Sequence, residues 1–200
     1  MKRIFDILVS LVSLLLLSPI VFLVGLLIKY KLGSPILFKQ ERIGYKDQLF
    51  TVYKFRTMSD AHDVEGNLLP DSYRLTSFGK LIRRLSIDEI PQLVNVLKGE
   101  MSIVGPRPLL TKYLPYYTTR ERLRHQVRPG ITGLAQITGR NKLGWDERLD
   151  IDVKYVENAS FLFDLKIIFL TIVKVLRREN VVDAPGEQML DFDLERKLKT

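Results

Sequence analysis

Residues 7–28 contain no charged side chain, and this uninterrupted run of 22 is the feature that most limits what the chain can become. About 20 predominantly apolar residues in helical form are enough to cross the hydrocarbon core of a bilayer, so the run predicts a membrane helix. No small-x-small cleavage site follows it, and Lys29, Tyr30 and Lys31 come directly after. It therefore reads as a retained element and not as a signal peptide. Lys2 and Arg3 precede the run and Lys29 and Lys31 follow it. Cationic flanks favour the cytoplasmic side, and one straight span cannot place both ends there.

Ser18 and Pro19 interrupt the run at its centre. Proline removes a backbone donor and clashes with the carbonyl four residues earlier, that of Leu15, at a cost of about 3 kcal/mol or more in a regular helix. The Ser18 hydroxyl is the nearest replacement donor for a carbonyl that lipid cannot satisfy. Two readings follow. One is a re-entrant helix dipping into a single leaflet with both ends on the cytoplasmic side, and the other is a proline-kinked single span.

A chain of 200 residues suffices for one modest domain beside such an element. The formal net charge of +8 favours an anionic partner, which can be nucleic acid, an anionic lipid surface or a phosphorylated substrate. The absence of cysteine excludes a disulfide framework, a thiolate metal site and a cysteine nucleophile. His62 and His125, the only histidines, are too few and too far apart for a histidine metal site or triad.

Beyond the apolar run the pattern predicts a mostly helical α+β domain. Residues 36–40 and 49–55 read as a hairpin around Gly44-Tyr45-Lys46-Asp47, and residues 60–72 as a surface loop. Residues 78–85 and 86–97 read as helices, the second stopped by Lys98-Gly99. Gly105-Pro106-Arg107-Pro108 and the glycine-rich residues 128–140 read as irregular. In residues 161–178, Asp164, Thr171, Lys174 and Arg178 share one helical face amid Phe, Leu, Ile and Val. This stripe fits an amphipathic helix with its polar side in the headgroup interface, or a core helix of the domain. The divisions are a membrane helix over residues 1–32, a catalytic domain over 33–180 and a tail of open role over 181–200. Trp145, the single tryptophan, reads as a packing or interfacial residue.

Three groups of residues could carry chemistry. In Ser86-Ile87-Asp88-Glu89, adjacent carboxylates follow Arg83-Arg84. Ser86 and Glu89 match a capping box, while Asp88 or Glu89 could equally supply a nucleophile or a Mg²⁺ ligand. The second group is the cations in unusual settings: Lys54 and Arg56 in Tyr53-Lys54-Phe55-Arg56-Thr57-Met58, then Arg83, Arg107 between two prolines, Arg128 before Pro129-Gly130, and Arg140 after Gly139. Arginine forks in rigid frames suit phosphate. The third group is residues 128–140, which match neither Walker A nor G-x-G-x-x-G. They read as an anion-binding nest or as a tight turn between packed segments.

Leu17-Ser18-Pro19, Tyr53-Lys54-Phe55-Arg56-Thr57-Met58, Ser86-Ile87-Asp88-Glu89-Ile90-Pro91-Gln92-Leu93, Gly105-Pro106-Arg107-Pro108 and Arg128-Pro129-Gly130-Ile131-Thr132-Gly133-Leu134-Ala135-Gln136 occur in this order. Together they resemble the bacterial sugar transferase family of monotopic phosphoglycosyl transferases, over about residues 2–178. The short chain looks most like the minimal PglC type, which loads diacetylated bacillosamine phosphate onto undecaprenyl phosphate at the start of protein glycosylation. The resemblance implies attack by a carboxylate on the β-phosphorus of a UDP-sugar, release of UMP, and transfer of the phosphosugar to polyprenol phosphate. Asp88 would be the nucleophile and a Mg²⁺ ligand, Glu89 its partner, and Arg107 a contact to the diphosphate. Lys54, Arg56, Arg83, Arg128 and Arg140 would bind phosphate or nucleotide. It also implies a re-entrant helix broken at Ser18 and Pro19, interfacial amphipathic helices, and the cytoplasmic face of a bacterial plasma membrane. The partners implied are the UDP-sugar, polyprenol phosphate, membrane lipids and downstream glycosyltransferases, with no nucleic acid. The rival class is a membrane-anchored, non-enzymatic protein whose basic patches hold anionic lipid or nucleic acid.

Overall fold

The computed structural model describes residues 1–139, 143–177 and 190–199. Helix α1 (Lys2–Leu32) contains the whole apolar run in 31 residues. At 1.5 Å per residue it is about 46 Å long. The helix continues through Pro19, and the Ser18 hydroxyl donates to the Leu15 carbonyl at 2.8 Å, the carbonyl that proline leaves without a backbone donor. In its most apolar stretch only 11% of residues are buried, and Leu15 and Leu16 are more than 70% exposed.

The two ends of α1 are held by one globular body. At the N-terminal end, the Lys2 ammonium donates to the Val104 carbonyl and the Tyr155 hydroxyl and pairs with Asp164. Arg3 donates to the carbonyls of Val96 and Leu97, and the buried Asp6 carboxylate accepts from the Ile103 amide at 3.1 Å. At the other end Val24 and Ile28 pack with Phe55 and Ile82. The middle of the helix carries the apolar surface that this body does not cover.

Strands β1 (Leu37–Ile43) and β2 (Leu49–Phe55) form the expected hairpin, with Leu37 opposite Phe55 and Ile43 opposite Leu49. The first strand runs three residues further than its apolar pattern predicts. After α2 (Asp71–Arg74), Thr76 caps α3 (Ser77–Arg84) by accepting from the Gly79 amide. A Cβ on Gly79 would lie 1.9 Å from the Thr57 carbonyl oxygen, so only glycine lets α3 approach the end of the hairpin this closely.

One helix over residues 86–97 is not what forms. Ser86 adopts a left-handed conformation (φ 55°) and caps nothing; a tight 3-10 turn over Ile87–Glu89 follows, and α4 (Gln92–Lys98) begins beyond Pro91. The capping box fails because Glu89, which would bond back to the Ser86 amide, is engaged by two cations, and charge-assisted bonds are roughly twice as strong as neutral ones. The predicted stop holds: Gly99 ends α4 at φ 86°.

Residues 102–139 form a close backbone contact whose partner, Gly105, the sequence pattern does not announce. Strands β3 (Ser102–Val104) and β4 (Gly130–Thr132) pair in parallel. A Cβ on Gly130 would sit 2.1 Å from the Gly105 amide nitrogen, and one on Gly133 would sit 2.2 Å from the Gly105 carbonyl oxygen. The Gly105 and Gly130 amides donate to the carbonyls of Thr132 and Pro106. Of the two readings of this segment, the tight turn between packed segments is the one observed. It also contains a short helix, α5 (Leu134–Thr138), where irregular chain was expected.

Helices α6 (Trp145–Glu157) and α7 (Phe161–Leu176) complete the body. Two residues of the polar stripe of α7 face inward: Asp164 is buried against Lys2 and Tyr155, and Thr171 bonds Thr132, while Arg178 lies outside the described residues. Its outer face is apolar, with Leu162, Phe169, Ile172 and Leu176 exposed. This corrects the headgroup-facing orientation expected for Asp164 and Thr171, because α1 supplies the cation that compensates Asp164. Within the tail, α8 (Phe192–Lys199) docks Phe192 among Tyr113, Tyr117 and Trp145. Trp145 is thus a packing residue, its indole N–H donating to the Leu190 carbonyl.

Candidate active site

The left-handed turn at Ser86 directs the following carboxylates back over the hairpin. Glu89 accepts from the Lys54 ammonium of β2 at 2.7 Å and from the Arg107 guanidinium at 3.1 Å. Asp88, beside it and buried, has no hydrogen-bond or ion-pair partner among the described residues. The two carboxylates therefore differ sharply. Burial pushes the Glu89 carboxyl up, but Arg107 and Lys54 outweigh it and hold the group at about 2. Burial, reinforced by the Glu89 charge, raises the Asp88 carboxyl above its ordinary value, against the opposing pull of Lys54, Arg83 and Arg107. Glu89 is thus committed to the two cations, and Asp88 is not.

The cations fall into two sets. Lys54, Arg83 and Arg107 act on the carboxylates, with Arg83 steadied by its Nε donating to the Thr57 hydroxyl at 2.9 Å. Arg107 is half exposed at the rim, where an incoming anion can reach it. Arg56 is turned elsewhere: it is buried and donates to the Ser34 carbonyl and to Asp60, bracing the connection from α1 to the hairpin. Arg128 donates to the Gly99 carbonyl and lies over the Tyr45 ring, 5.7 Å from its centroid. Arg140 lies outside the described residues.

Three residues of this neighbourhood escape a reading of motifs. The Arg124 guanidinium, 1% exposed, donates to the Asp152 carboxylate at 2.8 Å and to the carbonyl of Arg107 at 2.7 Å. It fixes the Pro106-Arg107-Pro108 loop from beneath. Asp152, on the same helical face as the apolar Leu149 and Val153, was the available sign, since charge on a buried helical face demands a partner. Arg42 is the third: burial, then repulsion from Arg107, lowers its guanidinium to about 10.

Among the described residues no group of three or more His, Cys, Asp or Glu side chains could hold a metal. A tight all-protein cage is thus not what this site offers. It offers one uncommitted carboxylate among cations, which suits an ion that takes its remaining oxygens from water and phosphate.

A sequence profile of the family described as Bacterial sugar transferase matches residues 1–178. The chain belongs to the bacterial sugar transferase family. Similar members include an uncharacterized sugar transferase, EpsL, of Bacillus subtilis (strain 168), 54% identical over 90% of each chain. The exopolysaccharide production protein ExoY of Sinorhizobium fredii is 41% identical over 87% of this chain and 84% of its own. The undecaprenyl-phosphate glucose phosphotransferase of Komagataeibacter xylinus is 43% identical over 90% of this chain and 36% of its own. The match spans α1, the Lys54 strand, the Asp88-Glu89 turn and Arg107.

Proposed function

We propose that this sugar transferase moves a hexose 1-phosphate from a UDP-sugar to polyprenol phosphate, with Asp88 as the covalent nucleophile. The observation that carries the reading is the division of labour in the dyad: Glu89 is ion-paired to Lys54 and Arg107, whereas Asp88 is buried and uncommitted. In the first step an Asp88 oxygen attacks the β-phosphorus, the bond from that phosphorus to the bridging oxygen breaks, and UMP leaves with the electron pair. In the second, an oxygen of polyprenol phosphate attacks the same phosphorus and the Asp88 carboxylate is regenerated. Arg107 would hold the diphosphate and offset its charge as UMP departs, and Lys54 would stabilise the transferred phosphoryl group. Mg²⁺ would be held by Asp88 together with substrate phosphate oxygens, and when bound would further neutralise the diphosphate.

The acceptor rests on the names of relatives from Komagataeibacter xylinus and Salmonella typhimurium, undecaprenyl-phosphate glucose and galactose phosphotransferases. The exopolysaccharide names of other relatives favour an exopolysaccharide product over the glycoprotein product of the PglC type. The reading extends to the membrane. Both ends of α1 grip one body while its middle exposes Leu11, Leu15, Leu16 and Phe22. That arrangement supports a re-entrant helix, with the outer face of α7 beside it in the same leaflet. The domain would lie on the cytoplasmic face, where nucleotide sugars are found.

A screen for UMP release from UDP-glucose, UDP-galactose and UDP-N-acetylated hexoses in the presence of undecaprenyl phosphate tests the reading. UMP release from one of these donors is expected, and none from any donor overturns it.

A further inference from the structure

A cavity of about 240 Å³ lies where α1, α4, β4 and α7 meet. Val9 and Ser13 of α1, Leu93 of α4, Ile131 of β4, and Ile168 and Ile172 of α7 supply its walls. Two further lining residues, Thr132 and Thr171, turn their hydroxyls to one another at 2.7 Å, and Thr171 also donates to the Ile167 carbonyl. The polar atoms of these walls are thus largely engaged within the protein, and a cavity of this kind favours hydrocarbon over water.

We propose that this groove holds the first isoprene units of the polyprenol phosphate acceptor, an inference that rests on the acceptor reading given above. Three features select that occupant. The first is continuity with lipid: the two helices that flank the groove, α1 and α7, turn Leu8, Val12, Leu16 and Phe169 outward, so a chain leaving the hydrocarbon enters without crossing polar surface. The second is reach. Leu93 is four residues past Glu89 on helical backbone, about 6 Å of rise, so a chain lying against Leu93 carries its phosphate toward Lys54 and Arg107. The third is size. A site of about 240 Å³ accepts one branched chain segment, whereas a bilayer phospholipid would bring two acyl chains. The α1 helix, on this account, is one wall of the acceptor site as well as an anchor.

The test separates the two half-reactions. Ser13→Phe places a ring in the groove, and Leu16→Phe places the same ring on the outward face of α1. The full-length protein in phosphatidylglycerol vesicles is assayed for a single turnover of UMP release without acceptor, then for KM against undecaprenyl phosphate. Ser13→Phe is expected to leave acceptor-free UMP release intact and to raise the acceptor KM about tenfold, the loss of roughly two buried methylenes. Leu16→Phe is expected to leave both unchanged. Should Ser13→Phe also lose acceptor-free release, Ile172→Trp narrows the groove from its exposed side and is read by the same two measurements. An unchanged acceptor KM with normal release overturns the groove and leaves at most a bilayer acyl chain there. No UMP release by the unaltered protein overturns instead the reading on which the groove depends.

Discussion

Replacing Asp152 by asparagine removes one charge from a pair that water barely touches: the side chains of Arg124 and Asp152 are 1% and 4% exposed. Asparagine keeps the volume but leaves the Arg124 guanidinium buried without a counter-charge. Removing one partner of a buried pair costs about 3–5 kcal/mol. For a chain of this size each kcal/mol lowers Tm by about 2–4 °C, so the expected drop is on the order of 10 °C. Burial raises the Asp152 carboxyl above its ordinary value in spite of Arg124, the mark of a pair that nearly breaks even against its own desolvation. An apolar replacement of both partners, Arg124→Met with Asp152→Leu, is therefore expected to regain most of the lost Tm. It is not expected to regain activity, because the Arg107 carbonyl then loses the donor at 2.7 Å that fixes its loop. Thermal unfolding in detergent, followed beside UMP release, reads both. A Tm within about 3 °C of the parent for Asp152→Asn would refute the claim that the pair is dry. Full activity in the double variant would refute the role of Arg124 in setting Arg107.

Stability should also fall in mild acid through His125, which burial, then the Arg124 charge, holds down at about 4. Its ordinary value is about 6.5, so the unfolded chain takes up the proton first; the contribution is complete above pH 6.5 and declines by up to about 3 kcal/mol as pH falls to 4. Denaturant titrations across that window should show the slope, and His125→Gln should remove most of it. Glu89→Gln is expected to lower kcat by at least about 100-fold with a smaller change in donor KM, since Lys54 and Arg107 lose the charge that orders them but remain cationic; a collapse of donor KM alone, with kcat kept, would argue against that ordering role. Topology should depend on the grip of the body on the first turn of α1. Because the chain has no native cysteine, one inserted directly after Met1 reports the side of the N-terminus by labelling. Ser18→Ala with Pro19→Ala is expected to leave it on the same side as the domain until Lys2→Met and Asp6→Asn release the docking contacts as well; an N-terminus that crosses after the Ser18 and Pro19 changes alone would contradict this.

Local chemistry was readable from the chain. The uncharged run, the hairpin and the Gly99 stop each follow from residues within one segment, and the Ser18 donor to the Leu15 carbonyl follows from what proline removes. What escaped depends on partners distant in sequence. The capping-box reading of Ser86 and Glu89 is sound for an isolated helix and fails because Lys54, 35 residues away, and Arg107 draw Glu89 off. The α7 stripe has the right period, but which way it faces is decided by Lys2, 162 residues from Asp164. The glycines of residues 128–139 signal a close approach without saying that Gly105 is what approaches. For the same reason the local pattern leaves Asp88 and Glu89 equivalent; the family resemblance ranks them, and the ion pairs of Glu89 supply a physical ground for that ranking.

The most direct test of the central claim is the intact mass of the protein after incubation with its UDP-sugar and Mg²⁺ in the absence of polyprenol phosphate. The account predicts a mass increase of one hexose phosphate, mapped by fragmentation to Asp88, lost on adding undecaprenyl phosphate and absent in Asp88→Asn while Glu89→Gln still forms it slowly. An adduct on Glu89, or UMP release by Asp88→Asn at the parent rate, would contradict it.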